Sequence, residues 1–121
     1  MSLTISVRET GDVVILDLNG PLTLGESLAV LRDEVKELLD DGHKNMLLNL
    51  AGVRYIDSSG LGQLVGCYAT VTNHGGQLKL LNLEPKVNAL MQVTKLLTVF
   101  EAFTSETAAL LSFSAKKASS A

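Results

Sequence analysis

Two adjacent serines behind an aspartate have the best placement for chemistry in this chain. Asp57, Ser58, Ser59 and Gly60 follow a buried, strand-like run and open a helical pattern, so the serines stand at a strand-to-helix turn. A serine hydroxyl there can cap the helix by accepting from the N–H groups of the first turn, and either serine qualifies. On these residues alone the segment predicts a helix cap, because an aspartate and two serines before a glycine make a good cap in any protein.

A serine enzyme is the first alternative. Serine hydrolysis needs a histidine and an acid beside the serine, and the chain has two histidines, His43 and His74. Both follow helical patterns whereas Ser58 precedes one, so a β/α layout places them at opposite edges of the sheet. The segment also lacks the Gly-x-Ser-x-Gly spacing of a nucleophile elbow. Metal-ligand spacing and a glycine-rich phosphate loop are missing as well, so we expect no catalysis, no cofactor, no metal and no bound nucleotide.

The apolar pattern predicts the elements that must position the serines. Residues 3–8 and 13–18 alternate or are β-branched around a glycine–aspartate turn, which favours an opening antiparallel hairpin. Strands alternating with helices then call for an α/β fold, with a mixed, mostly parallel sheet of four to five strands and about four helices. The elements expected after the hairpin are a helix ending near residue 42, a strand at 46–50, a strand-like piece at 53–56, a helix from the serines to residue 73, a strand at 78–83, a helix from residue 85, a short edge strand at 97–100 and a helix at 104–113.

Three local features sharpen this scheme. Thr23 and Glu26 form a Thr-x-x-Glu pattern, which predicts a capping box at the start of the first helix. Gly42 follows two aspartates at the end of that helix and is expected to be a left-handed cap. Gly62 and Gly66 are expected to let the second helix lie close to the sheet.

The bulk composition excludes several classes of protein. The chain has 121 residues, of which 46% are hydrophobic, so we expect one domain at residues 1–113 and a disordered tail at 114–121. The net charge is -3, so the chain lacks the excess of basic residues that is typical of a nucleic-acid-binding protein. The single cysteine, Cys67, excludes an internal disulfide and is expected to be a buried, inert thiol. Neither a signal peptide nor an apolar run of about 18 residues is present, which favours a cytoplasmic protein without a membrane span.

The serine segment resembles a family signature. Residues 49–62 read Asn-Leu-Ala-Gly-Val-Arg-Tyr-Ile-Asp-Ser-Ser-Gly-Leu-Gly, which is similar to the signature of STAS domains and of anti-sigma-factor antagonists in particular. The resemblance extends in register over residues 5–112. Its further matches are the Asn49–Leu50 pair, the Gly75–Gly76 turn and the Pro85-x-Val87 start of the third helix.

The resemblance implies a phosphorylation-controlled partner switch. In that family the first serine after the aspartate, here Ser58, is phosphorylated by a partner kinase. The unphosphorylated domain binds an anti-sigma factor, which is itself the serine kinase; phosphorylation breaks the complex, and a serine phosphatase acting on phospho-Ser58 restores it. Asp57 has two interpretations, a carboxylate that orients the partner or a helix-start acid that complements the helix dipole. The partner-binding residues implied by the resemblance are Thr23, Asp57, Ser58, Ser59, Gly60 and Leu61.

Two positions depart from the family pattern. The loop at residues 20–23 reads Gly-Pro-Leu-Thr where these antagonists commonly have Gly-x-Leu-Asp, so Thr23 replaces an acid near Ser58. Lys95 stands before Leu96 where many relatives have glycine, and we expect a slightly different turn because lysine disfavours positive φ. The missing acid keeps a second function open, a non-switching STAS adaptor that serves as a scaffold in a sensory assembly or as a subunit of a lipid-transport system.

Overall fold

The computed structural model describes residues 2–119, and side chains as far as Ser114. It confirms the predicted α/β order. The elements are β1 (Thr4–Thr10), β2 (Val13–Asn19), α1 (Glu26–Asp40), β3 (Asn45–Gly52), α2 (Ser58–Asn73), β4 (Gln77–Leu81), α3 (Pro85–Val93), a 3-10 turn (Leu96–Thr98), β5 (Ala102–Phe103) and α4 (Glu106–Ser119). The backbone of α4 runs into the expected tail, whose last residues, 120 and 121, lie outside the described residues; the disordered tail therefore stays a prediction.

The five strands form one mixed sheet in the order β1-β2-β3-β4-β5. The hairpin pair β1 and β2 is antiparallel, and every later pairing is parallel, as expected. Parallel strands bring their carboxyl ends to one edge of the sheet. The loops after β2 and β3 meet at that edge, where the Leu22 N–H donates to the Tyr55 carbonyl at 2.9 Å. The serines follow directly on from this contact.

The sheet separates two apolar cores of different size. Successive strand residues point to opposite faces, so Leu16 and Leu48 lie in the larger core under α1, α2 and α3, whereas Ile15 and Leu47 lie in the smaller core under α4. The larger core also contains Cys67, which is 2% exposed, as predicted. Burial raises the pKa of the Cys67 thiol, so the group stays protonated and unreactive.

A buried lysine on β4, Lys79, links the sheet to α4. Lys79 on β4 is 2% exposed, and its Nζ donates to the Ser112 hydroxyl of α4 at 2.8 Å. The same ammonium lies 4.7 Å from the ring centre of Phe113 and 3.5 Å from a carboxylate oxygen of Glu101. These contacts satisfy a cation that would otherwise be costly to bury.

The predicted capping box of α1 is wrong. The helix begins at Glu26 with Gly25 as its N-cap, and no side chain caps it. Ser27 instead ties down the preceding loop, because its hydroxyl accepts from the Thr23 N–H at 3.2 Å and donates to the Thr23 carbonyl at 2.7 Å. The cap at the other end is confirmed: Gly42 has φ 91°, and its N–H and that of His43 donate to carbonyls of the last turn.

Two of the expected strands are also wrong. Residues 53–56 contribute only an isolated bridge at Ile56, because the chain turns there into the serine loop. Leu97 and Thr98 fall in the 3-10 turn rather than in a strand, and the edge strand β5 comes later, at Ala102–Phe103. The apolar run serves to bury Phe100, which packs edge-on against the ring of Tyr68 at 5.3 Å between centroids.

The expectation that Lys95 avoids positive φ is likewise wrong. Lys95 lies in the left-handed region with φ 62° directly after α3 and its C-cap Thr94. There its N–H donates to the carbonyl of Gln92 at 3.1 Å, which closes the helix end. The chain thus keeps a turn that glycine adopts more easily, at a strain of about 1 kcal/mol.

The prediction that Gly62 and Gly66 bring α2 close to the sheet is wrong. A Cβ added to Gly62 would meet no atom within 4 Å, and one on Gly66 would meet only the side chain of Gln63 at 3.8 Å. Both glycines are exposed, so neither brings α2 close to the sheet. Gly60 is the glycine of α2 that packs closely, against the backbone of Leu22.

The serine loop as candidate functional site

Asp57, rather than either serine, caps the helix that carries the site. Its backbone is extended, with φ -111° and ψ -176°, and its Oδ1 accepts from the Gly60 N–H at 2.8 Å. Oδ2 accepts from the Leu24 N–H at 2.9 Å, across the gap to the loop after β2. The prediction that Ser58 or Ser59 caps α2 is therefore wrong, because the carboxylate one residue earlier already accepts from the helix start.

The same contacts keep Asp57 ionised. The N–H of Leu24, followed by that of Gly60, holds the pKa of the Asp57 carboxyl below its usual range, because both stabilise the charged form. The carboxylate thus bonds within the molecule and complements the positive end of α2. This geometry favours the helix-start interpretation of Asp57; a role in orienting a partner stays a prediction.

The two serines occupy the first positions of α2 and differ in exposure. Ser58 is exposed and Ser59 is half-buried. Within residues 2–119, neither hydroxyl forms a hydrogen bond to another protein group. Since Asp57 takes over the capping, the Ser58 hydroxyl is free to react at the surface, at the positive end of a 16-residue helix.

Gly60 and Leu61 hold the start of α2 in place. A Cβ on Gly60 would overlap the carbonyl oxygen of Leu22 and lie 2.9 Å from Cγ1 of Ile56, so only glycine fits without a shift of the backbone. Leu61 is 7% exposed and belongs to the larger core. Both residues face inward and so position the serines, while their role as partner contacts stays a prediction.

Thr23 lies beside the serines although its predicted capping role is wrong. It is half-buried in the loop that Leu22 bonds to Tyr55 and that Leu24 bonds to Asp57. The loop is held by these backbone groups and by Ser27, so it does not depend on a carboxylate at position 23. The structure thus brings Thr23 and the serine segment together, as the sequence implies.

Two exposed apolar side chains at the site escape the sequence analysis. Leu24 is 76% exposed and Tyr55 is 62% exposed, and each lies in one of the two loops that flank the serines. The sequence pattern predicts a strand at Tyr55 and a capping box around Leu24, and neither pattern indicates an exposed apolar side chain. The available signal was an apolar residue directly beside a glycine or a polar loop. Both side chains therefore add exposed apolar area to the loops around the serines.

A second polar region, the Asp17 cluster, lies near the same edge on the α4 face of the sheet. Arg8 Nε donates to Asp17 Oδ2 at 2.6 Å, and Arg8 Nη2 donates to Glu106 Oε1 at 2.9 Å. The Asn49 amide donates to Asp17 Oδ1 at 2.8 Å, and that of Asn82 donates to Asn49 Oδ1 at 3.3 Å. The bond from Arg8 holds the pKa of the Asp17 carboxyl below its usual range. Each member of the cluster bonds to another.

The histidines do not approach the serines. His74 is the C-cap of α2, so the length of that helix places it about 24 Å from Ser58. His43 follows the C-terminal end of α1, near the start of β3. A serine–histidine pair therefore does not assemble at this site. Among the described residues, no group of three or more His, Cys, Asp or Glu side chains lies close enough together to hold a metal ion.

The helices also bear on the question of a membrane span. Within the part of the chain that the structure describes, no helix combines the length and the apolar character that crossing a membrane requires.

Comparison with known proteins identifies the family. A model of the STAS domain matches residues 4–109, so the chain belongs to the STAS domain family. It is 30% identical over 101 residues to the anti-sigma-B factor antagonist of Bacillus subtilis (strain 168), covering 84% of this chain and 91% of that protein. It is 27% identical over 111 residues to the anti-sigma F factor antagonist of Paenibacillus polymyxa, covering 91% and 94%.

A solved structure shows the same fold. The Bacillus cell fate determinant SpoIIAA, in its phosphorylated form, matches with a TM-score of 0.68 at 21% identity, over 88% of this chain and 96% of that one. The expected STAS fold, with its opening hairpin, is confirmed.

Proposed function

We propose that this chain is an anti-sigma-factor antagonist. When Ser58 is unmodified, the domain binds an anti-sigma factor that is also a serine kinase, and so sequesters it. Phosphorylation of Ser58 by that kinase ends the binding, and a serine phosphatase acting on phospho-Ser58 restores it. The proposal places the chain in the cytoplasm, where such a kinase has ATP. The observation that carries it is an exposed, unbonded Ser58 hydroxyl on a helix start that Asp57 already caps.

The surroundings of Ser58 suit a docking site. Leu24 and Tyr55 offer exposed apolar area in the two loops that meet beside the serine segment, and hydrogen bonds to the Tyr55 carbonyl and to the Asp57 carboxylate join these loops. A surface that is rigid before binding loses little conformational entropy when a partner docks. The names of the curated relatives, antagonists of anti-sigma-B and anti-sigma F factors, support the choice of partner.

A phosphate on Ser58 can end the binding without refolding the domain. It adds close to two negative charges, which the start of α2 partly stabilises within the domain. An acidic group of the partner about 5 Å away would be repelled by about 3 kcal/mol per charge pair at an effective dielectric constant of about 20. That energy corresponds to about a hundredfold in affinity. In this proposal the chain is a substrate and a ligand rather than an enzyme.

A non-switching STAS adaptor is the second candidate function. Thr23 favours it, because this residue replaces the acid that the antagonists commonly carry beside the serine. Such an adaptor would keep the fold and the exposed serine, and its partner would bind whether or not Ser58 carries a charge.

A binding assay separates the two candidates. The purified chain is titrated with the purified anti-sigma kinases of the same organism, alongside the Ser58→Asp and Ser59→Asp variants. We expect one kinase to bind the unmodified chain, Ser58→Asp to lose about a hundredfold in affinity, and Ser59→Asp to bind more tightly than Ser58→Asp. Equal binding by the wild type and Ser58→Asp would contradict the switch and favour the adaptor.

A further inference from the structure

A groove borders the serine loop on the side of α3. This α3 groove has a cavity volume of about 420 Å³ and an apolar lining from Tyr55, Ile56, Val87 and Leu90. Two basic side chains, Arg54 and Lys86, line it as well. An open apolar groove with charges of a single sign has the composition of a binding surface.

The two cations of the α3 groove lack acidic partners. Arg8, Arg32 and Lys79 each lie within 4 Å of a carboxylate. Among the described side chains, Arg54 and Lys86 form no such ion pair, and neither do Lys36, Lys44 and Lys95. Arg54 and Lys86 differ from these three lysines because they line one groove together. The nearby Glu84 is engaged elsewhere, since its Oε2 accepts from the backbone N–H of Lys86 at 3.1 Å and caps α3.

The groove is continuous with the serine loop. Thr23 and Tyr55 line it, and the loops that carry them are joined where the Leu22 N–H donates to the Tyr55 carbonyl. Asp57 bonds the same two loops together one step closer to the serines. A partner that covers Ser58 and Tyr55 therefore reaches the groove without a gap.

We propose that the α3 groove binds an apolar segment of the anti-sigma kinase that carries at least one carboxylate. Its apolar side chains pack on Tyr55, Ile56 and Leu90, and its acid pairs with Arg54 and Lys86. Charge complementarity selects the occupant, because a basic or neutral segment would leave both cations unpaired in a covered groove. This inference rests on the proposed function and names the chemistry of the partner's second contact.

The experiment measures the affinity of the purified anti-sigma kinase that the unmodified chain binds. Arg54→Gln/Lys86→Gln removes the two groove cations. Arg32→Gln/Lys36→Gln removes one arginine and one lysine from a different groove, between α1 and α2, and is the matched control. We expect the first variant to lose about tenfold in affinity and the control to stay within about twofold of the wild type. The affinity of the first variant should also respond less to added salt.

The outcomes separate this inference from the proposed function. If Ser58→Asp loses about a hundredfold in affinity while Arg54→Gln/Lys86→Gln binds like the wild type, the groove assignment is overturned and the switch stands. Equal losses in the two double variants would reveal a general effect of net charge and also overturn the groove assignment. If no anti-sigma kinase binds the wild type, both proposals fall together. All exposed substitutions are checked for an unchanged Tm, so that loss of folding is not mistaken for loss of contact.

Discussion

The serine loop and the Asp17 cluster are both polar and lie near the same edge of the sheet, yet they are built differently. In the cluster, Arg8, Asn49 and Asn82 complete a closed network around Asp17. In the serine loop the aspartate is satisfied in the same way, but the neighbouring Ser58 hydroxyl is free and two exposed apolar side chains lie beside it. The side chains of the cluster are bonded to one another, whereas the serine loop leaves one exposed hydroxyl without a hydrogen bond beside a capped helix start.

The largest effect on stability is expected from Gly60→Ala. The new Cβ would overlap the carbonyl of Leu22, so the substitution should lower the free energy of unfolding by about 2–3 kcal/mol in a denaturant titration. Gly62→Ala is the matched control two residues along the same helix. It meets no atom within 4 Å and should stabilise the protein by up to about 1 kcal/mol. Similar values for the two variants would contradict the packing described at the serine loop.

A large effect on binding without loss of stability is expected from Tyr55→Ala. Tyr55 is 62% exposed, so truncation should leave the Tm almost unchanged. If it is a central contact of the docked kinase, affinity should fall by about tenfold or more, as measured by calorimetric titration. Val93, the last residue of α3, is 80% exposed, so Val93→Ala is the control and should bind like the wild type. Unchanged affinity in Tyr55→Ala would remove this side chain from the docking surface.

A pH-dependent effect is expected from Asp57→Asn. The pKa of this carboxyl is lower in the folded chain than in the unfolded one, so the charged form stabilises the fold. That stabilisation is fully present above the unfolded pKa of about 4, and it is lost as the pH falls through the lower folded value. The variant should therefore have a lower Tm than the wild type at pH 7, and the gap should narrow below pH ~4. A gap that widens in acid would contradict the capping contacts.

The smallest effect is expected from Arg8→Gln in the Asp17 cluster. Although Arg8 contacts both Asp17 and Glu106, its side chain is 43% exposed, and solvent screens both ion pairs. We expect a loss of about 0.5–1 kcal/mol in the free energy of unfolding, and smaller at high salt. Binding to the kinase should not change. A change in affinity would mean that the two polar regions are coupled.

The sequence predicts the features that depend on local patterns. The order of strands and helices follows from apolar periodicity, and the exposed Ser58 follows from its place between a buried strand and a helix. The Asp57 cap is less readable, because one of its two bonds comes from Leu24, in a loop 33 residues away. Gly60 and Gly62 look alike in the sequence, and only the approach of Leu22 distinguishes them. The left-handed backbone of Lys95 is likewise not indicated by the residue type, because lysine disfavours positive φ.

Phosphate transfer to the Ser58 hydroxyl can be measured directly by mass spectrometry. The wild-type chain, Ser58→Ala and Ser59→Ala are each produced in the native cells, and their intact masses are measured across growth and stress conditions. We expect a mass increase of one phosphate in the wild type and in Ser59→Ala, and none in Ser58→Ala. An increase that persists in Ser58→Ala, or a wild-type chain that is never modified while its partner stays bound, would contradict a switch at Ser58.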